Sequence, residues 1–447
     1  MFLPSSVEPI FLKLSSAFTQ PTAVRMSILM VGMILSRGRH TVTAALRMVG
    51  PLAHGHFSTY HRVFSRASWS PWTLSRTLTQ MILDLLPPDD TIPVSIDETT
   101  AQHRGAKVYG KGCHRDAVRS SHGYTAYKWG HKWVVLAIVV KFPWARCPWS
   151  LPVMAVLYRP EKVDLAEGRR HKTPSELARQ MLATLVHWFP KHNFVLVGDG
   201  GYATVELAQF CSRHCRPLVS RLRGDAALYA SPPPRRKSPV GRPRVKGRKM
   251  DSPQRVAQRK NVAWRKVTVD WYGGGSRRVR LLSGTGLWYN RGRAVPIRWV
   301  YVVDLEGTHR DDCIFSTDVA MSPTQIVGLF TRRWSIEVTF EEVRAHLGFE
   351  TTRQRVAQSV LRTAPCLLGL FSVVSLAFHT HQRRYRVRPA CTAWYTKEDL
   401  TFSDAIATVR RLLWTKTVFG MSTSGHRITK LTRPILNVLL DSLSRAA

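Results

Sequence analysis

The sequence predicts an α/β protein in which a sheet carries helices on its faces, between helical N- and C-terminal regions. Apolar strands such as WVVLAIVV (133–140) alternate with amphipathic helices such as TPSELARQMLATLVHWF (173–189), which Thr173 and Glu176 begin as a capping box. Further strand-like runs, including IRWVYVVD (297–304), return later in the chain. A strand that is apolar on both faces lies inside a covered sheet, so this alternation favours a sheet layered between helices.

The charge of the chain indicates a polyanionic partner. The 447 residues include 66 Lys and Arg against 29 Asp and Glu, a net charge of +37. A field of this size repels itself unless an anion neutralises it, which favours nucleic acid. A membrane surface would require a spanning segment or a basic amphipathic helix. The longest apolar runs are too short to span, and we therefore expect no membrane partner. Seven scattered cysteines suggest reduced thiols in the cytosol.

Residues 1–88 are predicted to form a helical DNA-binding region. Arginines and aromatic residues alternate here on short helices, as in a helix-turn-helix reader of DNA. A helical bundle with a solvated basic face fits the same local pattern equally well.

A turn-rich boundary at 87–90 precedes the first part of the predicted core, residues 89–228. The strand TIPVSID ends at Asp97, and two more strands follow it in a meander. Alternating helices and strands come next, and one apolar strand ends at Asp199. Arg221 and Arg223, after a later strand, are candidate phosphate contacts, although a solvated surface position explains them as well.

Residues 229–311 are predicted to form a basic linker followed by a β-rich insertion. Residues 231–260 hold eleven Lys and Arg against one acid and too few apolar residues for a core. Within it, GRPR places Arg242 and Arg244 as in an AT-hook core, where arginine enters a narrow minor groove. A disordered basic linker bound to phosphates is the simpler interpretation.

The end of the core, 312–350, contains one predicted helix, SPTQIVGLFTRRWSIEVTFEEVRAHLG (322–348), before a C-terminal helical region, 351–447. Ser322 and Gln325 form a capping box, and Gly348 suits a left-handed stop. Phe330, Arg333, Glu337 and Arg344 share one face of this helix.

```
```

The carboxylate of Glu337 between arginines has two interpretations. It belongs to an ion-pair ladder, worth a few tenths of a kcal/mol per pair, or it is a metal-binding acid among phosphate-binding cations. Asp97 and Asp199 favour the second interpretation, because functional groups gather beyond the carboxyl ends of strands. Three clustered carboxylates need a cation, and Mg²⁺ suits them. Glu341, one turn further on, is the rival of Glu337.

These residues resemble the bacterial insertion-sequence transposases of the DDE type, which have an RNase H-like core. One large branch carries Tyr-x2-Arg-x3-Glu-x6-Lys/Arg, and Phe330, Arg333, Glu337 and Arg344 follow that spacing. VSIDET (94–99), GDGGY (198–202) and FSTD (315–318) resemble neighbouring blocks.

The resemblance implies that Asp97, Asp199 and Glu337 bind Mg²⁺, as two ions with Mn²⁺ as a substitute, and that Arg333 and Arg344 hold DNA phosphates. It also favours Glu337 over Glu341. Phe330 departs from the pattern: it has no hydroxyl to donate to phosphate and is left to stack on a sugar or base.

The function predicted from these observations is a metal-dependent DNA transposase in the bacterial cytoplasm, associated with the nucleoid. It would bind the terminal inverted repeats of its element as a homodimer on double-stranded DNA, cleave there and join the 3′ ends to target DNA. The alternatives are an RNase H-like endonuclease without strand transfer and a DNA-binding regulator derived from such an enzyme.

Overall fold

The structure is a computed structural model and describes residues 3–116, 119–234, 244–389, 391, 393–394, 396–418 and 433–445. The chain begins with helices that pack on one another and on the long helix α12 introduced below. Their bounds are α1 (Glu8–Ser15), α2 (Gln20–Leu35), α3 (Val42–Val49), α4 (Phe57–Ser65) and α5 (Pro71–Leu83). Helices therefore occupy the N-terminal region, as the fold class predicts.

One mixed sheet, with eleven strands among the described residues, forms the centre of the protein. Its strands are β1 (Thr91–Gln102), β2 (Gly112–Arg115), β3 (Tyr127–Val140), β4 (Trp149–Tyr158), β5 (Asn193–Gly198), β6 (Leu218–Arg221), β7 (Leu228–Tyr229), β8 (Arg265–Asp270), β9 (Ser276–Asn290), β10 (Arg293–Asp304) and β11 (Asp312–Ser316).

The strand order identifies an RNase H-like core within this sheet. β4, β3 and β1 form an antiparallel meander, and β5 and β6 continue it in parallel with β1. The β-rich insertion extends the same sheet, because β11 pairs with β6, β10 with β11, and β9 with β10. The predicted mixed sheet with its β-rich insertion is confirmed.

Helices cover the faces of the sheet. The remaining ones are α6 (Glu161–Ala166), α7 (Pro174–Trp188), α8 (Val205–Arg213), α9 (Pro253–Ala257), α10 (Pro323–Arg332), α11 (Ser335–Leu347), α12 (Ala357–Tyr385), α13 (Phe402–Leu413) and α14 (Arg433–Ser444). Both predicted capping boxes are present, Thr173 with Glu176 and Ser322 with Gln325.

The helix predicted over 322–348 is two helices, and this part of the prediction is wrong. α10 ends at Arg332 and α11 begins at Ser335. Where the two helices meet, the Ile336 amide donates to the Arg333 carbonyl and the Glu337 amide to the Trp334 carbonyl, at 3.0 Å each. The hydroxyl of Ser335 also donates to the Arg332 carbonyl at 2.9 Å. The turn keeps right-handed backbone angles, so the apolar spacing of the sequence passes through it without a visible break.

α12 is the one helix in the described part of the chain long and apolar enough to cross a membrane. However, 72% of its apolar window is buried inside the protein. It packs on β4, and Ser372 donates to the Pro152 carbonyl at 2.8 Å. Burial of this kind is typical of a core helix. All seven cysteines are free thiols in the structure.

Candidate active site

Asp97 lies on a face of β1 that is joined at three positions to α11 or to the turn just before it. Because side chains alternate along a strand, Ser95, Asp97 and Thr99 point to the same side. Asp97 accepts a hydrogen bond from Arg333, and Thr99 accepts one from Arg344. These contacts, two residues apart on the strand, hold α11 in one register against β1.

A chain of serine hydroxyls makes the third of these connections, through buried Ser95 and Ser150 and half-buried Ser335. The Ser95 hydroxyl lies 3.1 Å from that of Ser150 on β4, which lies 2.6 Å from that of Ser335. Thr339, one turn further along α11, donates to the Ser150 carbonyl at 2.8 Å. Ser95 and Ser335 each precede a predicted site acid by two residues, so this hydroxyl chain fixes Asp97 and Glu337 relative to one another.

Asp199 emerges beside Asp97 because their strands are adjacent and parallel. Ile96 of β1 pairs with Gly198 of β5. Asp97 follows Ile96 in the chain, and Asp199 follows Gly198. Neighbouring strands lie about 4.8 Å apart. The Asp199 carboxylate accepts a hydrogen bond from the Gly201 amide at 2.9 Å, which orients it at the start of a short 3₁₀ turn.

Glu337 completes the acidic group from the first turn of α11, with Arg333 between it and Asp97. Nη1 of Arg333 lies 2.6 Å from Asp97 Oδ2, and Nη2 lies 3.0 Å from Glu337 Oε1. The guanidinium side chain is only 8% exposed. Arg333 is therefore an internal counter-ion for two of the three acids.

Burial and mutual repulsion perturb this group of acids. Burial raises the pKa of Asp97 to about 7; Arg333 opposes the shift, and Asp199 adds to it. Burial likewise raises the pKa of Glu337, again opposed by Arg333. Acids that resist ionisation until a cation approaches are typical of a metal or catalytic site.

The three carboxylates suit a hard divalent cation chemically, because Mg²⁺ prefers a few carboxylate oxygens. Their spacing in this structure does not form a ready-made site. Within the described ranges, no group of three or more His, Cys, Asp or Glu side chains is arranged to hold a metal ion. The Arg333 guanidinium lies between Asp97 and Glu337 and bonds to both, so it would have to move for one ion to bind both carboxylates.

The rival acids of the sequence point elsewhere. Glu98 follows Asp97 directly on β1, so its side chain points to the opposite face, where it pairs with Lys132. Glu341 is exposed on α11 one turn beyond Glu337. Its charge is nevertheless close enough to contribute to the raised pKa of Glu337.

The prediction that Phe330 contacts DNA is not supported by its position. Its side chain is 2% exposed and packs in an apolar cluster with Val195, Val219 and Ile326. Its ring lies 5.6 Å from the Arg221 guanidinium and 5.7 Å from that of Arg333. The Phe330 ring therefore packs against these two guanidinium groups from the protein interior. Because it is buried there, it cannot stack on a sugar or base of DNA in this conformation.

The predicted DNA-contacting arginines have different surroundings. Arg344 is half-buried and pairs with Glu350 at 3.4 Å in addition to its bond to Thr99. Arg221 pairs with Asp312 at 2.8 Å. Arg223 is exposed and pairs with Asp225.

The two arginines of the GRPR segment, Arg242 and Arg244, were predicted to contact DNA. Arg244 is exposed, and Arg242 lies outside the described residues.

An aromatic group beside the acids was not predicted from the sequence. Tyr272, from the insertion, stacks on His309 with ring centres 5.6 Å apart, and Trp334 meets it edge-on at 5.9 Å. Trp334 follows Arg333 directly and is 46% exposed. Burial raises the pKa of Tyr272, and the charges of Arg333 and Glu337 also act on it. The only signal in the sequence was the position of Trp334 in the RRWSIE stretch.

Comparison with known proteins identifies the family. Residues 13–278, more than half of the chain, match the sequence profile of the DDE superfamily endonucleases. The chain belongs to this family. The matched region contains Asp97 and Asp199 and ends before Glu337.

No curated protein matches the sequence. Seven chains of solved structures match it in fold. One belongs to a piggyBac transposase synaptic complex with hairpin DNA, with a TM-score of 0.40 and 9% sequence identity. That likeness covers 94% of this chain and 76% of the other, and a TM-score this low does not extend the identification beyond the family.

Proposed function

We propose that this protein is a DNA transposase that binds the inverted-repeat ends of its element, cleaves phosphodiester bonds there and transfers the 3′ ends to target DNA. The observation that carries the proposal is the convergence of Asp97, Asp199 and Glu337 from β1, the end of β5 and α11 around one buried arginine. Membership of the DDE superfamily endonucleases supports the nuclease step.

Asp97, Asp199 and Glu337 would hold two Mg²⁺ ions, or Mn²⁺ in their place. When bound, such ions activate a water or 3′ hydroxyl and stabilise the leaving oxygen of a phosphodiester. Arg333, released from Asp97 and Glu337, would then offer its donors to a DNA phosphate. A guanidinium suits this role because it donates two parallel hydrogen bonds to one phosphate group.

Arg344 would remain in place and contact the DNA backbone from its position beside Thr99. The hydrogen bonds that join Ser95, Ser150 and Ser335 would keep the acids aligned during the reaction, since positioning contributes several kcal/mol to catalysis. The net charge of +37 supports tight binding to double-stranded DNA. We further propose a homodimer on paired ends, acting at the nucleoid in a bacterial cytoplasm.

The test is incubation of the protein with Mg²⁺, a duplex carrying its element ends and a supercoiled target plasmid. We expect cleaved ends and joined products. Glu337→Gln should abolish both while DNA binding persists, and Glu341→Gln, one turn away and exposed, should leave both intact. Cleavage without any joined product would reduce the function to an endonuclease, the second candidate, which the family description favours. Activity that survives Glu337→Gln would show that the assigned acids are wrong.

A further inference from the structure

A cationic cleft lies beyond the far end of β1, outside the acidic site. Its volume is 520 Å³. Three chain segments line it: the link between α2 and α3, the loop after β1, and the loop after α11. The charged and titratable residues in its wall are Arg39, His103, Arg104, Glu350, Arg353 and Arg355.

The positive charge in this cleft is not neutralised by the protein. Arg39, Arg104, Arg353 and Arg355 are all exposed, and none makes an ion pair in the described part of the chain. The acid in the wall, Glu350, is already engaged, because it pairs with Arg344 and accepts a hydrogen bond from the Gln102 amide at 3.3 Å. Four exposed arginines around one cavity repel one another unless an anion lies between them.

The link between α2 and α3, which carries Arg39, is anchored by hydrogen bonds to other parts of the protein. The His40 amide donates to the Thr351 hydroxyl at 2.8 Å, which ties Arg39 to the loop after α11. Buried Arg410 donates to the carbonyls of Ile34 and Ser36, at 2.6 and 3.0 Å.

The opposite wall is also tied to the loop after α11. The Tyr109 amide donates to the Arg355 carbonyl at 2.9 Å. Lys111 donates to the Gly105 carbonyl at 2.7 Å within the same loop. The cleft is therefore built by the fold and does not depend on one mobile side chain.

The cleft continues the line of the acidic site. Asp97, Thr99 and Ala101 share a face of β1, and the strand ends at Gln102, beside the cleft. The link between that face and the cleft is Arg344, which bonds to Thr99 and pairs with Glu350 in the cleft wall. Five residues of strand span about 17 Å. This equals roughly five base-pair steps of about 3.4 Å. Arg344, bonded to Thr99, lies between the acids and the cleft.

From this alignment we propose that the cleft binds the phosphate backbone of double-stranded DNA about five base pairs from the position that faces Asp97. Arg104 and Arg353 are its principal phosphate contacts, and Arg39 and Arg355 flank them. The inference rests on the proposed function for what happens at Asp97, but DNA binding in the cleft can be measured without any cleavage. A membrane is the less suitable occupant, because the charge lies in a recess and not on a convex amphipathic helix.

The experiment compares two variants that remove the same charge. The first is Arg104→Gln with Arg353→Gln. The matched control is Lys191→Gln with Arg213→Gln, two exposed cations without ion pairs in the described ranges. Lys191 precedes β5 and Arg213 precedes β6, whereas Asp199 follows β5, so both cations lie at the opposite end of these strands from Asp199.

Binding of a mixed-sequence duplex of about 30 base pairs, roughly three helical turns, is followed by fluorescence anisotropy in EDTA over a series of salt concentrations. Each lost phosphate contact lowers the slope of log affinity against log salt by about 0.9, so the cleft variant should lose about 1.8. The control should keep the wild-type slope. Equal losses in the two variants, or an unchanged slope in the first, would overturn the proposal.

Three additions complete the test: vesicle binding, thermal unfolding and a charge-reversal variant. If the cleft variant loses binding to phosphatidylserine vesicles but keeps its DNA slope, the cleft is a membrane site and the proposal fails. Thermal unfolding checks that both variants fold, and Arg353→Glu provides a second, charge-reversing test with the same expected direction. If the cleft variant loses slope but the wild-type protein does not cleave DNA, only the transposase proposal fails. If the wild-type protein cleaves DNA but the cleft variant keeps the wild-type slope, only the cleft proposal fails.

Discussion

Arg333 donates a hydrogen bond to Asp97 over 2.6 Å, across 236 residues of sequence. With its second bond, to Glu337, this arginine occupies the space between two acids that would otherwise repel. The protein thus carries its own cation in the candidate site, and a divalent ion held by these acids would compete with Arg333.

Removing Arg333 should destabilise the metal-free protein. Arg333→Ala leaves buried carboxylates without their counter-ion, which costs about 3 kcal/mol, at the lower end for a broken buried pair because Glu337 is partly exposed. Mg²⁺ should restore part of this loss. Denaturant unfolding in EDTA and in Mg²⁺ measures both effects.

The control is Arg332→Ala, the preceding residue, whose pair with Asp270 is solvent-exposed. Exposed pairs contribute about 0–1 kcal/mol. Equal losses at the two positions, or no response of Arg333→Ala to Mg²⁺, would contradict the role assigned to Arg333.

Restoring the tyrosine of the transposase signature should not improve this protein. Phe330→Tyr adds a hydroxyl among valine and isoleucine side chains, and an unsatisfied buried hydroxyl costs about 1–3 kcal/mol. Phe57→Tyr makes the same chemical change at a residue 55% exposed and should leave the unfolding free energy unchanged. A Phe330→Tyr protein of wild-type stability with higher affinity for DNA would show that the ring reaches the substrate.

The raised pKa of Asp97 predicts a pH dependence of stability. Between its usual pKa of 3.8 and about 7, the folded protein retains a proton that the unfolded chain releases. The contribution of Asp97 to stability is therefore greatest at low pH and falls as pH rises towards 7. Asp97→Asn lacks this titration, so its stability relative to wild type should increase from pH 5 to about pH 8.

Urea unfolding in EDTA at several pH values measures this difference. Asp225→Asn is the control, since the hydrogen bond from Arg223 lowers the pKa of exposed Asp225, and its contribution is lost only as pH falls below this range. A constant difference between Asp97→Asn and wild type would mean that Asp97 is ionised throughout.

Gly348 should tolerate no side chain. It ends α11 with φ at +63°, and an added Cβ would lie 2.3 Å from His40 Nδ1. Gly348→Ala therefore combines the left-handed backbone cost of about 1–2 kcal/mol with a clash that pushes α11 away from the link between α2 and α3.

Gly307→Ala isolates the backbone cost. Gly307 has φ at +71° and no atom within 4 Å of the added Cβ. Thermal unfolding should show a larger loss for Gly348→Ala than for Gly307→Ala. If the two losses are equal, contact with His40 contributes nothing to the position of α11.

The sequence by itself determined the sheet, both capping boxes and the alternation of helices and strands in the core. These features are local: a strand apolar on both faces must be covered, and a Ser or Thr followed three residues later by Glu or Gln starts a helix. The order Asp97, Asp199 and Glu337 was also visible, although β1 continues to Gln102 and does not end at Asp97 as the sequence predicted. Their assignment as metal ligands stays a proposal.

Only the tertiary structure decided where the neighbouring side chains point. The interruption at Arg333 and Trp334 was invisible in the sequence, because a two-residue turn with helical backbone angles barely disturbs apolar spacing. That turn directs Arg333 between the acids and buries Phe330 beneath it. The cleft of Arg39, Arg104 and Arg353 was equally hidden, since it joins segments more than 60 residues apart in sequence. Contacts between distant segments depend on tertiary packing, which local sequence patterns do not indicate.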